Sequence, residues 1–197
     1  MGEELWQMDG EIDRAVLQGV RLEDLDAEGV RVLDAELRAV EFVGGDLGGS
    51  TWRGGSCTDI RFTATSLTRS RWSGVELDRA MLAGCDLSLA HLSRLRLTGC
   101  LFTGVNLRGT RWREVSLTDC VLREVDLGGA VLESVQLRDC TLQEVDLTKA
   151  QLREVDLRGS AIRLSRGWSS LRGARIDRGQ LMDIAADLAA EIGLRVD

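Results

Sequence analysis

Residues 125–144 read Val-Asp-Leu-Gly-Gly-Ala-Val-Leu-Glu-Ser-Val-Gln-Leu-Arg-Asp-Cys-Thr-Leu-Gln-Glu. Leu127, Leu132, Leu137 and Leu142 stand five apart, and a smaller residue lies two places before each: Val125, Ala130, Val135 and Cys140. Followed outward in both directions, the step of five never fails between Ile12 and Ile162, where all 31 positions are apolar. Hydrophobic residues make up 44% of the chain, so uniform occupancy of that series is not chance. The companion series holds only Gly, Ala, Ser, Thr, Cys or Val, broken by Leu25, Ile60 and Leu95. Polar residues fill most of the remaining places, and the fifth is often Gly, as at Gly84, Gly99, Gly104 and Gly109.

A period of five matches neither a helix nor a long strand, and it is not a coiled-coil heptad. The chain must make a short extended piece, turn, and repeat. Strand alternation lets the large residue and the small one two places earlier both point inward. A Gly-rich fifth place supplies turn conformations that other residues resist. Rare residues give the number of pieces per coil. Trp52, Trp72 and Trp112 are separated by 20 and 40, as are Phe42, Phe62 and Phe102, while Cys100, Cys120 and Cys140 lie 20 apart. Four fives per coil would stack each set along one wall. Ser50, Ser70 and Thr110 precede the three tryptophans by two places, as volume compensation in a close-packed interior requires.

Val105-Asn-Leu-Arg-Gly109 and Val155-Asp-Leu-Arg-Gly159 carry a resemblance to the pentapeptide-repeat family, over about residues 10–176. The resemblance implies an all-β solenoid, a right-handed quadrilateral β-helix with four short sides per coil. The register falters over about 163–170, where a loop is expected around Gly167-Trp168, and returns one residue out of phase at Leu171 and Ile176. Residues 1–178 are thus read as the β-helix and 179–197 as a C-terminal helix and tail. Leu181, Ile184, Leu188 and Ile192 follow helical spacing over Gly179 to Ile192, and Gly193 is a stop. A solenoid needs its open end covered, so these residues are read as a cap, and as a dimer contact. The stretch Leu171-Arg-Gly-Ala-Arg-Ile-Asp177 before that helix is similar to the ending of the MfpA/Qnr-type fluoroquinolone-resistance proteins within the family. That likeness implies a dimeric rod that binds DNA gyrase in the manner of duplex DNA.

Composition narrows the classes further. The chain has 197 residues with no Pro, 4% aromatic residues and a net charge of −7. A chain this acidic is a poor direct ligand for nucleic acid, whose affinity comes largely from Lys and Arg. No stretch has the apolar length of a membrane span, and Glu3 and Glu4 stand where a leader would be basic. Five cysteines without a CxxC pair suit a reducing compartment, so a cytoplasmic protein is expected. His91 falls on an outward place and no cysteine has a basic partner set beside it by spacing, so no enzyme, cofactor or metal is expected. The line of Cys100, Cys120 and Cys140 reads as a buried small-residue stack, since zinc prefers four ligands gathered tetrahedrally.

Distributing the outward places of residues 11–164 over four walls separates the charges. The wall led by Ala27, Leu47 and Leu67 carries Asp26, Glu28, Asp46, Asp86, Asp126 and Asp146 against Arg69, Arg108 and Lys149. The Trp52 wall carries 6 acidic and 8 basic residues, and the other two carry 7 to 5 and 5 to 4. Asp26, Asp46, Asp86, Asp126 and Asp146 form the candidate partner-binding column. Such aspartates also bond readily to their own turns. Two functions fit: a DNA mimic that modulates or protects a topoisomerase, or a general protein-interaction scaffold. Salt separates them, because a mimic releases its basic partner as ionic strength rises.

Overall fold

A computed structural model describes residues 10–195. The residues of the five-step series sit at the centres of three-residue strands such as Thr51–Arg53, Ser56–Thr58 and Arg61–Thr63, buried between more exposed neighbours. Each strand pairs in parallel with the one twenty residues on, bringing Trp52 against Trp72, Cys57 against Leu77 and Phe62 against Leu82. Among the described residues, three faces are thereby parallel sheets of eight, seven and eight strands. The first face begins at Glu11–Asp13, the second at Val16–Gln18 and the third at Arg21–Glu23. The fourth is a row of single bridges through Asp26, Asp46, Ser66, Asp86, Asn106, Asp126 and Asp146. It stays narrow because the chain turns at once: Val30 N–H donates to Ala27 O, Ser50 to Leu47 and Ala130 to Leu127. The molecule is a four-sided parallel β-solenoid of about eight coils, closed by a helix.

All residues of the five-step series are buried, and so are the exceptions Leu25, Ile60 and Leu95. Two glycines of the small series are required by close approach. A Cβ on Gly45 would lie 2.4 Å from Leu25 O, and one on Gly55 would lie 2.1 Å from Ala35 O. Elsewhere the expected reliance on glycine is corrected. Among the described residues, eighteen non-glycine residues, all at fifth places, have φ between 48° and 60°. The stack imposes this conformation on them: the N–H groups of Arg14, Asp34, Arg94 and Glu114 each donate to a carbonyl on the next coil.

Aromatic residues fill the early coils. Trp52 and Trp72 stack with centroids 4.4 Å apart, Phe42 and Phe62 at 4.7 Å, and Trp52 meets Phe62 edge-on. Both ladders are then interrupted, by Leu92 between Trp72 and Trp112 and by Leu82 between Phe62 and Phe102. A cavity of about 30 Å³ with a wholly apolar lining lies at that interruption.

The register break takes a more regular form than the expected loop. The strand Ala161–Arg166 runs six residues against Thr141–Asp146, slipping register after Gln143. Gly167 then turns at φ 83°, and a 3-10 turn, Trp168–Leu171, buries its Trp. Asp156 bridges Arg175, nineteen residues on, which gives the one-residue change of phase. Helix α1 spans Arg178–Glu191. Residues 1–9 of the expected solenoid and 196–197 of the tail lie outside the described residues. Among those described, no helix is long and apolar enough to cross a membrane.

Candidate interaction surface

The fourth face gathers the five candidate aspartates into one line. Each occupies the single bridged position of its coil, so its side chain faces away from the core, at a rise of about 4.8 Å per coil. Ser66 and Asn106 interrupt the carboxylates at the third and fifth coils. The turn explains the residue type. Oδ1 of Asp46, Asp86, Asp126 and Asp146 accepts the N–H two residues on, from Gly48, Ser88, Gly128 and Thr148, at 2.7–2.8 Å. Asn106 does the same for Arg108 N–H and donates Nδ2 to Asp86 at 3.1 Å. Those four aspartates therefore close the turns and also colour the surface.

Their environments differ along the rod. Asp26 and Asp46 are exposed, Asp86 and Asp126 are half-buried, and Asp146 is buried. Arg108 Nη1 donates to Asp126 at 3.0 Å, and Arg166 Nη2 lies 2.7 Å from Asp146. Burial pushes the Asp146 carboxyl up, but hydrogen bonds from Thr148 and the charges of Arg166 and Arg108 outweigh it and hold it below the usual carboxylate range. Negative charge on this face is thus least compensated at its N-terminal end. Arg166 follows the register break, where five-step counting assigns no wall, so its pairing with Asp146 was hidden from the sequence.

The four helix positions separate as well. Ile184 is buried and Leu188 half-buried against the end of the solenoid, whereas Leu181 and Ile192 stay 46% and 74% exposed. The residue that fastens the helix was missed by periodicity. Gln180, buried, donates Nε2 to Leu157 O and Ser160 O at 2.6 Å each. Its Oε1 accepts from Asp177 N–H while Asp177 Oδ1 accepts from Gln180 N–H, a reciprocal capping box. An Asp-x-x-Gln spacing before the apolar run was the available signal.

The cysteines are all free and buried. Cys100 N–H donates to Cys120 Sγ at 3.4 Å, and burial pushes the Cys57 thiol up to about 12. Among the described residues, no group of three or more His, Cys, Asp or Glu side chains is placed to hold a metal ion.

A four-sided parallel solenoid with Asx-closed turns defines a class, that of proteins built from stacked five-residue units. Residues 90–166 match the family described as pentapeptide repeat region, and residues 56–94 match pentapeptide repeats in eight copies. Together these cover more than half of the chain, which belongs to the pentapeptide-repeat family. Among solved structures it is similar to trypsin-treated QnrB1, a plasmid-mediated fluoroquinolone resistance protein, at 18% identity over 95% of this chain and 99% of that one, with a TM-score of 0.33. HetL of the cyanobacterium Nostoc, involved in heterocyst differentiation regulation, shares 20% identity over 89% of this chain and 95% of its own, with a TM-score of 0.35. Rfr23 of the cyanobacterium Cyanothece shares 18% over 81% and 95%, with a TM-score of 0.28. Comparison with functionally curated proteins returns no match.

Proposed function

We propose that the chain is a non-catalytic, cytoplasmic, homodimeric binding rod whose partner is DNA gyrase or a related type II topoisomerase, engaged at the surface that takes DNA, and that it modulates the enzyme or guards it against quinolone-like inhibitors. The observation that supports this reading is the unbroken stack of coils bearing a line of outward carboxylates on a chain of net charge −7. A negative rod is steered toward a basic groove before any contact forms. Leu181, Met182, Ile192 and Leu194 are exposed at the C-terminal end, and a second copy joined there would lengthen the rod. The reading as a general protein-interaction scaffold draws on a different observation. Arg108 and Arg166 neutralise the column where it reaches Asp126 and Asp146, which leaves Asp26 and Asp46 as its freest part.

The test is gyrase supercoiling with purified protein across a salt series. Inhibition that fades as salt rises, and that Asp26→Lys with Asp46→Lys abolishes, is the expected result. Inhibition indifferent to salt, or none, passes the function to the scaffold reading. Sedimentation of Leu181→Glu with Ile192→Glu should give half the native mass; an unchanged mass removes the helix from the dimer.

A further inference from the structure

The first face carries more arginine than any other, and the structure sorts its charges along the rod. Glu11, Asp13 and Asp34 lie on the first two coils, and Glu114, Glu133 and Glu154 on the last three. Between Asp34 and Glu114 no outward residue of this face is acidic, while Arg53, Arg71, His91, Arg94, Arg111 and Arg113 are all exposed. Arginines elsewhere are commonly tied down, as in Arg31–Glu11 at 2.8 Å, Arg79–Asp59 at 2.8 Å and Arg96–Glu76 at 2.9 Å. Among the described residues, Arg53, Arg71, Arg94 and Arg111 form no ion pair. Arg94 donates only to Ser73 Oγ, at 2.9 Å, and Arg113 reaches Glu114 only at 3.7 Å.

Strand register fixes the pattern. Arg71, His91 and Arg111 are successive partners, as are Arg53, Ser73, Ser93 and Arg113. The short Ser73 and Ser93 side chains leave a shallow groove beside the longer row. Basic side chains repeated on successive coils, with Glu76, Glu114 and Glu133 only at the margins, raise a local positive potential on an otherwise acidic molecule.

We infer that this strip is a docking site for an extended acidic peptide segment of a partner protein. Charge complementarity selects an anion, and dimensions select a single peptide. From the coil of Arg53 to that of Arg111 is three rises, about 14 Å, which four or five extended residues span at roughly 3.3 Å each. The face is one short strand wide. Glu76 borders it on the second face beside Arg94, and Asp34 and Glu114 close its ends. Duplex nucleic acid, with a charge about every 1.7 Å, would press phosphates onto those carboxylates, whereas one extended segment stays within them. Guanidinium groups grip carboxylates through paired hydrogen bonds. The site lies on a different face from the aspartate column, so it stands or falls apart from the topoisomerase reading.

The probe is a fluorescent peptide of consecutive glutamates between Gly-Ser arms, titrated with the full chain at low ionic strength and followed by anisotropy. Saturable binding is expected, absent for the glutamine version and weakened roughly tenfold or more by Arg71→Ala with Arg111→Ala. Arg123→Ala with Arg138→Ala removes equal charge from other faces and should leave binding unchanged. Circular dichroism verifies that each variant, altered only at exposed positions, keeps its strands. Absence of saturable binding overturns the inference, as does equal weakening by both pairs. Tighter binding of a thymidine oligonucleotide of matched charge also overturns it, in favour of a single-strand nucleic-acid site.

Discussion

The indole N–H of Trp52, Trp72 and Trp112 donates to Ser50 Oγ, Ser70 Oγ and Thr110 Oγ1 at 3.0, 3.0 and 2.9 Å. The sequence shows a small residue before each tryptophan and explains it by volume. The geometry shows that the small residue must also carry a hydroxyl, because a buried donor without a partner is costly. Ser70→Ala keeps the volume nearly constant and removes only the acceptor. Chemical denaturation should show a loss of about 1–3 kcal/mol, and Ser70→Thr should retain most of the stability, as Thr110 does at its own coil. An alanine variant as stable as the parent would show that the indole is satisfied elsewhere.

At the scale of elements, the turn and the cap both depend on neighbours more than on local preference. Glu124 holds φ 54° with its N–H donated to Gln143 O on the next coil. A left-handed conformation strains an L-residue, and glycine removes the strain at some cost in unfolded-state entropy. Glu124→Gly should therefore stabilise by about 0.5–1 kcal/mol, read as a higher thermal midpoint. Helix α1 buries little apolar surface and exposes Met182 at 72%, so Gln180 carries much of its attachment. Gln180→Ala removes the side-chain donor to the Leu157 and Ser160 carbonyls, of which Leu157 O keeps the Ser160 N–H, and breaks the capping box. Hydrogen exchange should then accelerate across residues 178–191 while the coils remain protected. Uniform exchange across the chain would show instead that helix and solenoid unfold as one unit.

Across the whole molecule, packing continuity is broken where the two aromatic ladders coincide in leucine. The cavity of about 30 Å³ beside Leu82 and Leu92 has no polar group to hold a water. At roughly 24 cal/mol per Å³, filling it is worth about 0.7 kcal/mol. Leu82→Phe extends the Phe42–Phe62 stack toward Phe102 and should raise stability by about that amount. A destabilised variant would mean that neighbouring coils cannot yield to the ring.

The five-residue period determined the coil, the inward series, the four-sided rod and the line of aspartates, because parallel stacking repeats one environment every twenty residues. Leu127 and Asp126 could be placed on inner and outer surfaces by counting alone. Counting stops where a contact joins residues that share no phase. Arg166 on Asp146, Gln180 on the Leu157 and Ser160 carbonyls, and the unpaired state of Arg53, Arg71, Arg94 and Arg111 were decided only by tertiary structure. Long polar side chains choose partners by reach across coils and around corners, and a periodic sequence fixes where their backbones lie but not what their ends meet.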